Sequence, residues 1–461
     1  MPAAPLEPRR RYLRCATLFT AAPAPTPSPV ARGAAAPHPG SLAERARPGR
    51  APQSSTGAGA PAVSVAAPIA DGAVLVQDGR IVAAGRAAEV PAPADAEVVD
   101  YADATILPGL IDAHVHLMYR QGESIFEHAR AFDDHQLLVR AAYHARLVLE
   151  AGVTTVRDCG SRGTFLTALR DGIAAGMLPG PRLLTCGPPV TTTAGHLWVC
   201  GGEVDSVPAA RTLVRRLVKE GVDFIKVMAT GGRMTPGTNV GRAQFSVEEL
   251  RAIVDDAHRL GRHVAAHCLG TEGLANAVAA GVDTVEHGNW LDPSGDAVAF
   301  DEAVARQMAE RGIYRNMATQ PNRILAEKPL NQPLTPREHR QLEAMRERWY
   351  WFRRGIELGI PSFFSTDAIF GQWDERCTDL PWLTVSIAER GGITPAEALC
   401  MVTRLPAEAI GLGQDVGTLA PGKVADLLVV RGNVLDSIRQ LLQVVAVYQE
   451  GRLVSGPLLT Q

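Results

Sequence analysis

Eight short apolar runs recur between Leu110 and Ser365, separated by stretches of helical periodicity, and this alternation limits the fold more than any other feature. The runs are Leu110–His114, Val153–Asp158, Arg182–Cys186, Phe224–Ala229, His263–His267, Thr284–Glu286, Ile313–Met317 and Ser362–Ser365. Between them lie amphipathic stretches such as His135–Ala151, Ala209–Glu220, Ser246–Leu260 and Thr271–Ala280. Ser246 and Glu249 have the spacing of a capping box. Strands that are apolar throughout and alternate with helices belong to parallel sheets covered on both faces. Eight such units over about 280 residues predict an α/β fold, a (β/α)8 TIM barrel. Gln320–Gly359 is longer than an ordinary connection and is read as an elaborated βα excursion beside the pocket. Helix packing accounts for its aromatic run, Trp349-Tyr350-Trp351-Phe352.

The flanks have a different period. Gly72–Gly85 is two alternating runs around Asp78-Gly79, a strong hairpin signal. Ala96–Leu107, Gly417–Val430 and Val444–Val454 are further strand-like runs. Together they predict a small β-sandwich domain formed from N- and C-terminal strands. The expected division is 69–107 and 412–461 for this composite domain and 108–411 for the barrel. Residues 1–68 read as a largely disordered Ala/Pro-rich segment, because from Ala21 to Pro68 there is almost nothing large and apolar to bury. Residues 12–20 are the exception: Tyr12–Thr20 reads as a strand of the β-domain, with Ala21–Ala67 an insertion or a misassigned start.

Composition narrows the function classes. The 461 residues carry a formal net charge of −3, which makes no electrostatic case for nucleic acid or an anionic membrane. No window has the ~18 uninterrupted apolar residues of a membrane helix. Seven scattered cysteines, an odd number without paired spacing, fit a reducing cytoplasm better than a disulfide framework.

Polar residues gather where the predicted strands end. In Leu107–Leu117, His114 and His116 stand two apart, so on a strand both point to one face. Two imidazoles on one rigid face can share a metal ion. Asp158, Lys226, His267, His287 and Asp367 close later runs. Each has a plain structural reading: Lys226 as a snorkelling lysine, His287 bonded to a backbone carbonyl, Asp367 as a helix cap. In a barrel, however, all these ends face one rim, where active sites are built.

These residues lie in motifs that identify the chain as similar to the metal-dependent amidohydrolase superfamily. The motifs are Pro108-Gly-Leu-Ile-Asp-Ala-His-Val-His116, Gly152-Val-Thr-Thr-Val-Arg-Asp158, Ile225-Lys-Val-Met228, His267 followed by Gly270, Val285-Glu-His-Gly288, Ser365-Thr-Asp367 and Gly417–Asp426. The chain most resembles the branch with imidazolonepropionase-like proteins and Xaa-Pro dipeptidases, over roughly Ala70 to Gly456. The resemblance implies two divalent ions, with N and O ligands that suit Zn2+. His114, His116 and Asp367 would hold one ion and His267 and His287 the other. Lys226, carboxylated by CO2, would bridge them as a carbamate. Asp367 would also be catalytic, moving the proton from the attacking water, activated at the ions, to the leaving amine. His196, at the Gly-His step of Thr191-Thr-Thr-Ala-Gly-His196, would polarise or bind the substrate carbonyl. Arg233, in the loop after Lys226, either pairs with a substrate carboxylate or is a solvated surface arginine.

The expected activity is hydrolysis of a C–N amide bond in a small molecule or short peptide, such as a peptide or an N-acyl amino acid. The alternatives are a cyclic amidine or lactam hydrolase of the imidazolonepropionase kind, and a hydrolase that processes a peptide natural product. A metal-free scaffold is disfavoured by the complete ligand set. Homo-oligomerisation is compatible with this reading.

Overall fold

The computed structural model describes residues 10–24, 63–120, 124–320, 325, 328, 331–370 and 379–456. The expectation of disorder between Ala21 and Pro68 falls mostly outside these residues. The described chain divides into two compact units, one of 10–24, 63–111 and 392–456, the other within 112–391. The helices Pro395–Cys400 and Arg404–Ala409, taken on sequence as the end of the barrel, fall in the first unit.

The chain opens with β1 (Arg10–Leu18), β2 (Ile69–Gln77), β3 (Arg80–Arg86) and β4 (Glu97–Pro108). Asp78 and Gly79, both at positive φ, turn β2 into β3, as two-residue hairpins require. The parallel strands follow: β5 (Leu110–Arg120), β6 (Val153–Asp158), β7 (Arg182–Thr185), β8 (Phe224–Met228), β9 (His263–Gly270), β10 (Thr284–Leu291), β11 (Tyr314–Ala318), β12 (Ser362–Ser365) and β13 (Ala368–Phe370). The chain ends with β14 (Leu427–Arg431), β15 (Val444–Gln449) and β16 (Arg452–Ser455).

In the first unit, one seven-stranded sheet runs β16-β15-β14-β4-β1-β2-β3. The hydrogen-bond ladder is continuous, so pairing does not divide it into the two layers of a sandwich. β1 lies inside it, parallel to β4 and antiparallel to β2. Leu13, Leu18, Val74, Ile81, Ile106, Leu427 and Val429 make its core.

The second unit is α/β with parallel strands. Five pair in the order β12-β11-β10-β9-β8 and four in the order β13-β5-β6-β7. Beyond β7, Val190 donates to the Lys226 carbonyl at 2.8 Å and accepts from Met228 N–H at 2.8 Å. At the other end, Asp367 N–H donates to the His114 carbonyl at 2.9 Å. These bonds run through the connecting segments that flank the two sheets. Every residue of β6, β8 and β12 is buried, which explains their unbroken apolar character. Val214, Leu217, Ile253 and Leu274 from the surrounding helices pack on Ile225, Val264 and Val285 of the strands. Each such side chain contributes roughly 1.5–3 kcal/mol relative to exposure. The Ser246 hydroxyl and Glu249 carboxylate cap the helix Val247–Arg259 reciprocally. Among the described residues no helix is long and apolar enough to cross a membrane.

Candidate functional site

Side chains from four strands and from the turn after β12 meet in one cavity of about 180 Å³. β5 supplies His114 and His116, β8 Lys226, β9 His267 and β10 His287; Asp367 lies between β12 and β13. His196 enters from the segment after β7, and Arg233 from the loop after β8. The fold thus brings together eight of the nine residues singled out on sequence. Trp373, Asp374 and Arg376, which follow Asp367 closely enough in sequence to reach the pocket, lie outside the described residues. Asp158 does not line the cavity: it accepts from the N–H groups of Leu117 and Gly160, and burial pushes its carboxyl up to about 6.

A nitrogen from each of His114 and His116 and an oxygen of Asp367 lie within 4.8 Å of one another. Both Nε2 atoms are 3.4 Å from Asp367 Oδ1. His267 stands with ring centroids 4.7 Å from His287, and His287 lies 5.2 Å from His114.

Hydrogen bonds to the far side of each ring fix which nitrogen is free. His114 Nδ1 donates to Glu286 at 2.8 Å and His116 Nδ1 to the Gly160 carbonyl at 3.3 Å. His287 Nδ1 donates to the Ala318 carbonyl at 3.0 Å and His267 Nε2 to the Gly231 carbonyl at 3.2 Å. A carbonyl or carboxylate accepts only, so these nitrogens carry the proton. The lone pair then stays on Nε2 of His114, His116 and His287, and on Nδ1 of His267. Burial, then the nearby Lys226, pushes the His114 imidazolium down to about 3. Burial likewise lowers His267 and His287. Burial opposes ionisation of Asp367, but the imidazoles of His116, His114 and His287 around it prevail and hold its carboxyl well below the usual range. Neutral imidazoles and one carboxylate are the protonation states that ligate a cation.

Two residues without an assigned role on sequence position this set. Glu286 is fully buried behind His114. Its carboxylate also accepts from Arg157 Nη2, Thr284 Oγ1 and Asn316 Nδ2, each at 2.6 Å. Burial alone would raise its pKa, but Arg157 and His114 hold it well below the usual range. Asp112 accepts from the Thr366 hydroxyl at 2.6 Å and the Thr366 N–H at 3.2 Å, fixing the turn that carries Asp367. Both lie in motifs noticed on sequence, but what they hold is far away in the chain.

Backbone strain marks the same residues. Asp367 has φ +50° and His287 φ +64°, the left-handed region that non-glycine residues rarely occupy. His196 sits between Ala194 at φ +56° and Leu197 at φ +55°. Its Nδ1 is 2.8 Å from the Thr235 hydroxyl, and a Cβ at position 232 would overlap its ring, so Gly232 makes room for it. Burial, then His287, pushes the His196 imidazolium down to about 3.

A parallel α/β scaffold that gathers imidazoles and one carboxylate around a cavity can hold a divalent ion and hydrolyse a polar bond. The chain belongs to the amidohydrolase family, whose profile matches residues 105–454. It is similar to the ochratoxinase of Aspergillus niger, 27% identical over 429 residues, covering 85% of this chain and 84% of that one. It is also similar to the imidazolonepropionase of Mesorhizobium japonicum, 27% identical over 388 residues, covering 78% and 86%. Among solved structures, a prolidase complexed with N-methylphosphonate-L-proline matches with a TM-score of 0.70 and 26% identity, covering 86% of this chain and 96% of that one. The protein is accordingly a hydrolase of carbon–nitrogen bonds.

Proposed function

We propose that the chain hydrolyses the amide bond of a short peptide or an N-acyl amino acid at a binuclear zinc centre on a closed (β/α)8 barrel. The observation that carries this reading is the set of ring tautomers, which leaves four imidazole lone pairs beside one ionised carboxylate. His114, His116 and Asp367 would hold one ion and His267 and His287 the other. The sheet contacts at Val190 and Asp367 support closure of the barrel.

Lys226 supports the bridge. It is 1% exposed and, among the described residues, makes no ion pair; its Nζ lies 3.4 Å from His114 Nε2. An uncompensated buried ammonium costs several kcal/mol. Loss of one proton frees the amine, and addition of CO2 with loss of a second proton turns that cation into an anion with two oxygens.

The ions supply Lewis-acid polarisation and a water of lowered pKa. Asp367 takes the proton from the attacking water and passes it to the leaving amine. The Thr235 hydroxyl accepts from Leu197 N–H at 3.0 Å and has one proton to give to His196 Nδ1. The His196 proton then sits on Nε2, where it can donate to the substrate carbonyl oxygen.

Metal analysis of the purified protein, with a screen of dipeptides and N-acyl amino acids, tests the reading. About two equivalents of zinc are expected, with hydrolysis lost on dialysis against a chelator and restored by zinc. Less than one equivalent of divalent metal and no gain on adding zinc would reject it. Lys226→Ala is expected to lower kcat/KM by about a hundredfold or more, with recovery on adding formate or acetate to replace the missing carboxylate. Full activity of that variant without added acid would rule out the carbamate.

A further inference from the structure

The cavity has a second, differently charged part. Arg233 and Arg348 both line it, and both are exposed. Among the described residues neither forms an ion pair, and Asp367, which stands beside His114 and His116, is the only carboxylate in the lining. Arg348 was not singled out on sequence because it lies about 120 positions from Lys226, in the excursion between β11 and β12. It sits on the helix Pro336–Glu357, between the buried residues Met345, Trp349 and Phe352. That helix is tied to the strand of His287: Arg315 on β11 donates to the Trp351 carbonyl at 3.0 Å and the Gly288 carbonyl at 2.8 Å. Of the aromatic run Trp349 and Phe352 are buried while Tyr350 is exposed, and the buried pair fixes where Arg348 stands. Shielding of its head group by the surrounding protein, then the nearby charge of Arg233, lowers the Arg348 guanidinium pKa, so an anion between the two would relieve a repulsion that no carboxylate among the described residues offsets. The same cavity is also lined by apolar Ile125, Leu197, Met228 and Leu269.

We propose that Arg348, with Arg233, clamps the free carboxylate of the substrate, so that the enzyme selects N-acyl amino acids with an apolar side chain over their uncharged amides. Guanidinium pairs suit a carboxylate because each presents a fork of donors to its two oxygens. This rests on the hydrolase reading of the same cavity and narrows it to anionic substrates.

The zinc-loaded full-length protein is tested with N-acetyl-L-leucine, N-acetyl-L-methionine and N-acetyl-L-phenylalanine and the carboxamide of each. Binding is measured by calorimetry and hydrolysis separately by amine release. Wild type is expected to favour the acid over the amide by roughly ten- to a hundredfold in Kd, and in kcat/KM chiefly through KM. In Arg348→Ala that ratio falls toward one, and Arg348→Lys recovers part of it. Preference for the acid persisting in both variants would mean that the ions hold the carboxylate, and would overturn the clamp. Equal treatment of acid and amide by wild type would overturn it while leaving the hydrolase standing. Selective binding lost in Arg348→Ala, without turnover of any compound, would support the clamp and count against the hydrolytic assignment instead. Failure to bind any of the six overturns it.

Discussion

Asp367→Asn is expected to reduce kcat/KM by about a thousandfold or more while the melting temperature stays within a few degrees of wild type. Asparagine keeps the size of the side chain and one oxygen that can ligate. It also tolerates left-handed backbone better than most residues, so the turn at φ +50° survives. What it loses is the basic carboxylate that takes and returns the proton. The experiment compares zinc content, melting temperature and steady-state rates of the two proteins. Zinc content near wild type with a collapsed rate is the expected pattern. A rate within tenfold of wild type would remove Asp367 from proton transfer and leave it a ligand only.

The second large effect falls on stability. Glu286→Ala is expected to destabilise the fold by about 3–5 kcal/mol, because Arg157 would remain as a buried cation without its partner. Arg157 is held by three acceptors: the Ala113 carbonyl at 2.7 Å, Glu286 at 2.6 Å and Thr284 at 3.3 Å. Only Glu286 carries charge. Urea unfolding of the zinc-free protein measures the loss without a contribution from the ions. The double variant Glu286→Leu with Arg157→Met is expected to recover much of it, since removing both charges removes the desolvation penalty. A single variant within 1 kcal/mol of wild type would show that the pair does not matter to the fold.

Sequence reasoning reached what is local and stopped at what is not. β6 and β12 have the bounds their apolar runs suggested, because a strand buried on both faces advertises its ends. β5 runs to Arg120 and β10 to Leu291, past the histidines that looked like their ends. A polar ligand inside a strand reads as its end when only hydrophobicity is followed. His114 and His116 were legible because a two-residue spacing fixes a shared face. Glu286 was not, although it adjoins His287: its partners Arg157, His114 and Asn316 are 129, 172 and 30 positions away. Arg348 was hidden for the same reason, beside aromatic residues whose packing was the more visible signal.

The strained backbone at His287 and Asp367 also bears on how this protein can be improved or eroded. A non-glycine residue in the left-handed region gives up roughly 1–2 kcal/mol, which glycine would return. Any library screened for heat resistance without a turnover assay would therefore enrich glycine at the two positions the reaction can least lose. Thermostabilisation has to hold both fixed and seek its gains elsewhere. A natural chain of this fold that was freed from selection for activity would drift toward a sturdier but inert protein.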